Sequence, residues 1–194
     1  MPLGAKAAII HESASPGPTG QTSGFPAEAT QWLGSRFSLS EAFNVTQIGG
    51  HLFGTGGTIF GAIIALASPG ATPAKQADVL SSVIASTTFS PPTPSADVRT
   101  PLSVTLPAGD YALVFGSGAL TASGFALMPD NNTDLPGASY FICDAPDRCA
   151  NGGFLSNLRF VVEGTVVPLP AALPLLATAL AALGLLGWRR RQAA

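Results

Sequence analysis

The chain has 194 residues with a formal net charge of −2, 10% charged residues, 22 glycines and 17 prolines. Setting aside three arginines near the C-terminus, six Lys/Arg stand against eleven Asp/Glu, which excludes nucleic-acid binding through a basic face. Plentiful aliphatic and aromatic residues exclude a disordered chain, and the body is large enough for one hydrophobic core but not two.

In chain order, residues 1–29 read as an irregular N-terminal segment. Met1 to Ile10 lacks the apolar centre and cleavage site of a secretory signal, and Ser13 to Phe25 is rich in turn formers. Residues 30–164 read as short strands between turns. Trp32–Leu39 alternates in part, with Arg36 and Ser38 expected to face away from Phe37 and Leu39. Phe43–Ile48 is a strand expected to end at a Gly49-Gly50 turn, with His51 just beyond it. Thr58–Leu66 is apolar on both faces, as in a strand inside a packed sheet. Asp78–Phe89 starts as a helical turn and finishes as a strand, and Pro91 to Pro94 is a stiff link.

Leu102–Leu106 and Tyr111–Gly118, joined by Pro107-Ala108-Gly109-Asp110, predict an antiparallel hairpin. Phe125–Met128, Ser139–Ile142 and Leu158–Glu163 complete the strands. Closely spaced strands with Gly/Pro turns and no long helix define an all-β antiparallel sandwich.

Residues 165–194 differ in kind. Val167-Pro168-Leu169-Pro170-Ala171 opens an uncharged stretch. The run from Ala171 to Trp188 is 18 residues, and Arg189, Arg190 and Arg191 follow it. As a helix this run spans roughly 27 Å, about the thickness of a bilayer's hydrocarbon core. Trp188 suits the headgroup interface, and the arginines set a cytoplasmic C-terminus. The expectation is one C-terminal transmembrane helix, N-out and C-in.

The order of short motif, apolar helix and arginine cluster resembles the VPLPA-CTERM form of the PEP-CTERM sorting signal. The resemblance covers about the last 28 residues. It implies export in a Gram-negative bacterium and transient anchoring in inner-membrane lipid. It further implies cleavage near Val167–Ala171 by an exosortase, a membrane protease-transpeptidase, and a final place at the cell surface or in the extracellular matrix. The strand-rich segment from Phe37 to Glu163 is similar to jelly-roll ectodomains carried by such tails. Exopolysaccharide and biofilm are the associations that follow. Export requires a signal that Met1 to Ile10 does not supply, so one is expected upstream of Met1.

Catalytic chemistry is sparse. His11 and His51 are the two histidines, so a Ser-His-Asp triad would have to use His51, and no Gly-x-Ser-x-Gly elbow is present. His51 reads as a structural residue at a strand end. Cys143 and Cys149 lie in a short loop and are expected to form a disulfide rather than bind zinc. Asp130-Asn131-Asn132-Thr133-Asp134 has oxygen ligands at alternate positions but lacks an EF-hand's glycine and distal glutamate, so it reads as a solvated turn. The sequons at Asn44 and Asn131 carry no information in the inferred host. No catalytic residue, metal or cofactor is assigned. The sequence supports a non-enzymatic envelope protein. One alternative is a carbohydrate-binding module with Trp32, Tyr111 or Tyr140 as its aromatic platform, and a second is a secreted hydrolase.

Overall fold

The computed structural model describes residues 7–167. Its elements are β1 (Ala8–Glu12), β2 (Ala14–Ser15), β3 (Phe25–Ala27), β4 (Trp32–Leu39), β5 (Phe43–Gly56), β6 (Ile59–Leu66), α1 (Gln76–Ser81), β7 (Val83–Phe89), β8 (Ala96–Leu106), β9 (Gly109–Gly116), β10 (Phe125–Met128), β11 (Thr133–Asp134), β12 (Tyr140–Ala145), β13 (Arg148–Asn151) and β14 (Phe160–Val166). The chain is all-β and antiparallel. One six-stranded sheet runs β1-β14-β5-β10-β3 with β8 also on β5, and another runs β13-β12-β4-β9-β6-β7. The short strands β2 and β11 form a separate pair.

The core lies between the large sheets, where Ile48, Leu52 and Phe160 of the first meet Leu33, Ile63, Leu113 and Phe115 of the second. A second apolar cluster covers the far face of the second sheet: Trp32, Phe60, Ile64, Val114 and Phe141 pack with Val79 of α1 and with Ala122. This outer layer explains why β6 is apolar on both faces, since it has β9 and β7 at its edges and a cluster on each side. The expected helical turn followed by a strand also forms, as α1 and β7.

Three expectations about the strands need correction. First, residues 1–29 are not irregular throughout: β1 pairs with β14 and β3 pairs with β10. The core contacts of β1 hide behind polar letters, because Ile10 packs on the core and the His11 ring stacks on Phe37 at 5.1 Å. Second, Gly49 and Gly50 make no turn but sit inside β5. They are glycine because β8 and β14 close on them, so that a Cβ would collide with the Val98 carbonyl oxygen at Gly49 and the Arg159 carbonyl oxygen at Gly50.

Arg36 faces away from Phe37 and Leu39 as expected, and on that face it is buried under the outer layer. Its guanidinium donates to Ala71 O at 2.9 Å, Thr72 Oγ1 at 2.5 Å and Tyr140 O at 2.6 Å, and lies 5.2 Å from the centre of the Phe141 ring. Backbone and hydroxyl oxygens satisfy the buried cation in place of a carboxylate. Third, β8 and β9 do not pair as a hairpin. β8 bonds to β5 in the first sheet, and β9 bonds to β4 and β6 in the second. Pro107 and Ala108 carry the chain across as an arch, so Leu106 and Tyr111 face each other's sheets through the core.

Among the described residues no helix is long and apolar enough to cross a membrane. The predicted transmembrane run from Ala171 to Trp188 lies outside them, as do Pro168 to Ala171 and Arg189 to Arg191.

Candidate functional site

His51 lies in the middle of β5, not at a strand end, and is 2% exposed. Its Nδ1 is 2.9 Å from Asn131 Oδ1 and its Nε2 is 3.1 Å from Ser95 Oγ. The network assigns the protons. Asn131 Nδ2 donates to Pro129 O and to Asn157 O, both at 2.9 Å. Asn131 Oδ1 is therefore the acceptor, for Gly17 N–H at 3.0 Å and for His51. His51 then carries its proton on Nδ1 and accepts the Ser95 hydroxyl proton at Nε2.

The order hydroxyl, imidazole, amide is that of a nucleophile, a base and an orienting group. Access separates it from a working triad. Ser95 is 1% exposed, so no external carbonyl reaches its Oγ in this conformation. The orienting group is also a neutral amide, while the neighbouring carboxylates are engaged elsewhere.

Arg159 engages them. Its side chain is 4% exposed and it donates to both Asp97 oxygens, at 3.0 and 3.2 Å, and to Ala14 O at 2.6 Å, with Glu12 as a further partner. Arg99 bridges Asp97 at 3.0 Å and Glu163 at 2.6 Å. Burial by itself would raise the Asp97 carboxyl, but hydrogen bonds from Arg159 and Arg99 overcome that and hold it below the usual carboxylate range. Beside this network is a cavity of about 80 Å³ lined by Gly17, Thr19, His51, Asp97, Asn131 and Arg159. That volume suits a few waters and falls well below the roughly 300 Å³ of a small-molecule site.

The stretch Asp130 to Asp134 is a solvated turn only in part: Asp130, Asn132 and Thr133 are exposed, and Thr133 and Asp134 form β11. Asn131 is buried in the His51 network, and Asp134 accepts from Tyr140 Oη at 2.5 Å and from Asn157 N–H at 2.7 Å. Burial, and then the Asp134 carboxylate, push the Tyr140 phenol well above its ordinary range. Among the described residues no three His, Cys, Asp or Glu side chains are grouped to hold a metal ion.

Cys143 and Cys149 are joined by a disulfide. They are directly opposed across the β12–β13 hairpin, not held in a loop. Cys149 N–H donates to Ala74 O at 2.7 Å, which seats the hairpin on the segment leading into α1. Of the sorting residues, Val167 is described; its N–H donates to Ala42 O at 2.9 Å.

The aromatic platform is absent at all three expected positions. Trp32, Tyr111 and Tyr140 are 2%, 5% and 5% exposed, and Trp32 Nε1 donates to Ser117 O at 2.9 Å. A larger cleft of about 490 Å³ lies between Glu28, Thr55, Ser117, Ser123 and Phe125. Strand directions put it at the opposite pole from Val167, because β5 runs from Phe43, paired with Val166, up to Gly56.

Ser95 and Arg159 were not singled out from sequence. The partners of His51 are 44 and 80 residues away in the chain, and no local pattern signals such pairing. No protein-family model matches the chain, and no curated protein matches it.

Proposed function

We propose that this chain is an exported, non-enzymatic cell-envelope protein: a jelly-roll-like β-sandwich ectodomain carried on a VPLPA-CTERM-type sorting tail. The tail holds the ectodomain at the inner membrane, N-out and C-in, until an exosortase cleaves near Val167–Ala171. The ectodomain then takes its place at the cell surface or in an exopolysaccharide-rich matrix.

The observation that carries this reading is where the last described strand ends. β14 lies between β1 and β5, and its last pairing is Val166 with Phe43. The next residue, Val167, is the first of the Val-Pro-Leu-Pro-Ala motif, and its N–H still donates to Ala42 O. A cut just beyond it would leave every described strand intact, and tension on an anchored tail would load a strand bonded along both edges. The Cys143–Cys149 disulfide suits an oxidising compartment. The sealed Ser95 and the small cavity beside His51 favour a structural role over a hydrolytic one.

Reporter fusions test the topology. Alkaline phosphatase joined after Gly164 is expected to be active, and a cytoplasmic reporter joined after Ala194 is expected to fluoresce. The reverse pattern would overturn the membrane reading.

A further inference from the structure

Exposed sheet edges offer unpaired N–H and C=O groups to any passing strand, so folded proteins blunt them with charge, proline, bulges or shortness. Among the described residues, four of the five edges of the two large sheets are blunted. β3 has three residues including Pro26, and β13 has four including Arg148. β8 carries Asp97 and Arg99 and is interrupted by Pro101. β1 carries His11 and Glu12 and has a bulge between Ile9 and His11.

The fifth edge is β7, Val83-Ile84-Ala85-Ser86-Thr87-Thr88-Phe89, which has neither a charge nor a proline. Its one device is a bulge at Ile84, where the register with β6 shifts. Beyond the bulge, Ala85–Phe89 pairs regularly with Ile59–Ile63 along one side. Among the described residues β6 is the only strand bonded to β7. Ser86 and Thr88 are exposed, and every residue of the stretch except Ala85 is favourable or neutral in a strand.

We propose that this open edge docks the same edge of a second copy, antiparallel, about a two-fold axis through Thr87. The stretch is self-complementary in that register. Ser86 falls opposite Thr88 of the second copy, and Thr88 opposite Ser86, pairs that hydrogen-bond across strands. Ala85 falls opposite Phe89, a small residue against a large one. No like charges meet, because the strand has none. The contact uses the same surface on both copies, so it closes as a dimer and does not propagate into a fibre. It joins two six-stranded sheets edge to edge.

The five-residue edge is about 17 Å long and covers less than the roughly 1,000 Å² of a stable solution interface. The pairing is accordingly weak in dilute solution and forms where copies are crowded, as on a shared surface. It goes beyond the sorting role and does not depend on it.

Cysteine capture on the full-length chain in detergent tests the register. Both native cysteines are bonded to each other, so an S86C/T88C double variant carries the only free thiols. Oxidation at rising protein concentration is expected to yield a covalent dimer whose peptides join position 86 of one copy to position 88 of the other. A T46C variant, exposed in the other sheet, is the background control. Dimer formation no greater than in T46C, or links that join 86 to 86 and 88 to 88, would overturn the proposal.

A second pair of variants reads the contact without thiols. At the protein concentration that gives cysteine capture, S86K/T88K and S86D/T88D are each expected to sediment as monomers, while their equimolar mixture forms a heterodimer. Two monomers in the mixture, or dimers of either variant alone, would overturn it as well.

Discussion

Tyr111 donates its phenolic hydrogen to the carbonyl oxygen of Pro107 at 2.9 Å, which closes the arch that carries the chain from one sheet to the other. A tyrosine at the start of a strand, bonded back to the preceding corner, stabilises sheet-to-sheet crossings in sandwich folds. Here it turns what reads as a hairpin into a crossover. The ring packs in the core against Phe37, with centroids 5.7 Å apart, so the hydroxyl and the ring act together.

Tyr111→Phe keeps the ring and removes the bond, leaving the Pro107 carbonyl without its partner. The expected loss is about 1–2 kcal/mol of unfolding free energy with an unchanged fold. Denaturant titration of the variant against the parent checks it, and an unchanged midpoint would contradict the role given to the arch.

Asn131→Asp separates the two readings of the Ser95–His51–Asn131 array. If Asn131 orients a catalytic imidazole, a carboxylate should be tolerated or should improve the array. If it is a structural tie, the new oxygen faces Pro129 O and Asn157 O, which now receive Nδ2 hydrogens. Repulsion and lost bonds then cost about 2–4 kcal/mol. The expected result is the large destabilisation, measured by thermal or denaturant unfolding, and esterase activity no higher than in the parent.

Stability should also depend on pH through His11. Burial pushes its imidazole down to about 4 from an ordinary 6.5, so the folded state holds it neutral while the unfolded chain protonates it. The unfolded state binds more protons between these values, so stability is full above about pH 6.5 and falls as pH drops toward 4. The expected loss is of order 1–3 kcal/mol. His11→Phe, which preserves the stack on Phe37, should flatten that part of the profile. The same slope in parent and variant would contradict the assignment.

The alternation of apolar and polar residues made most of the strands legible, because period-two burial is a local property. The second half of β5 was not, since Gly49 and Gly50 look like a turn until two neighbouring backbones are seen to crowd them. Nor was Arg36, whose burial depends on oxygens from residues 71–72 and 139–140, far along the chain. The 143–149 pairing was readable from the spacing in a chain read as exported and poor in histidine, but not the hairpin that presents it. The polar network around His51 was invisible for the same reason as the arch: both are made by contacts between sheets, and single-strand periodicity holds no record of which sheet a strand joins. The sorting tail is read from composition and order, and Val167 is where that reading meets the folded domain.

The most direct test of the account is the C-terminus of the protein recovered from the cell surface or medium. Intact-mass measurement and C-terminal peptide mapping are expected to find a chain that ends near Val167–Ala171 and lacks Trp188 and the arginines at 189–191. The cells should also hold a smaller pool of uncut precursor. Surface or released protein that retains Arg189, Arg190 and Arg191 would contradict it.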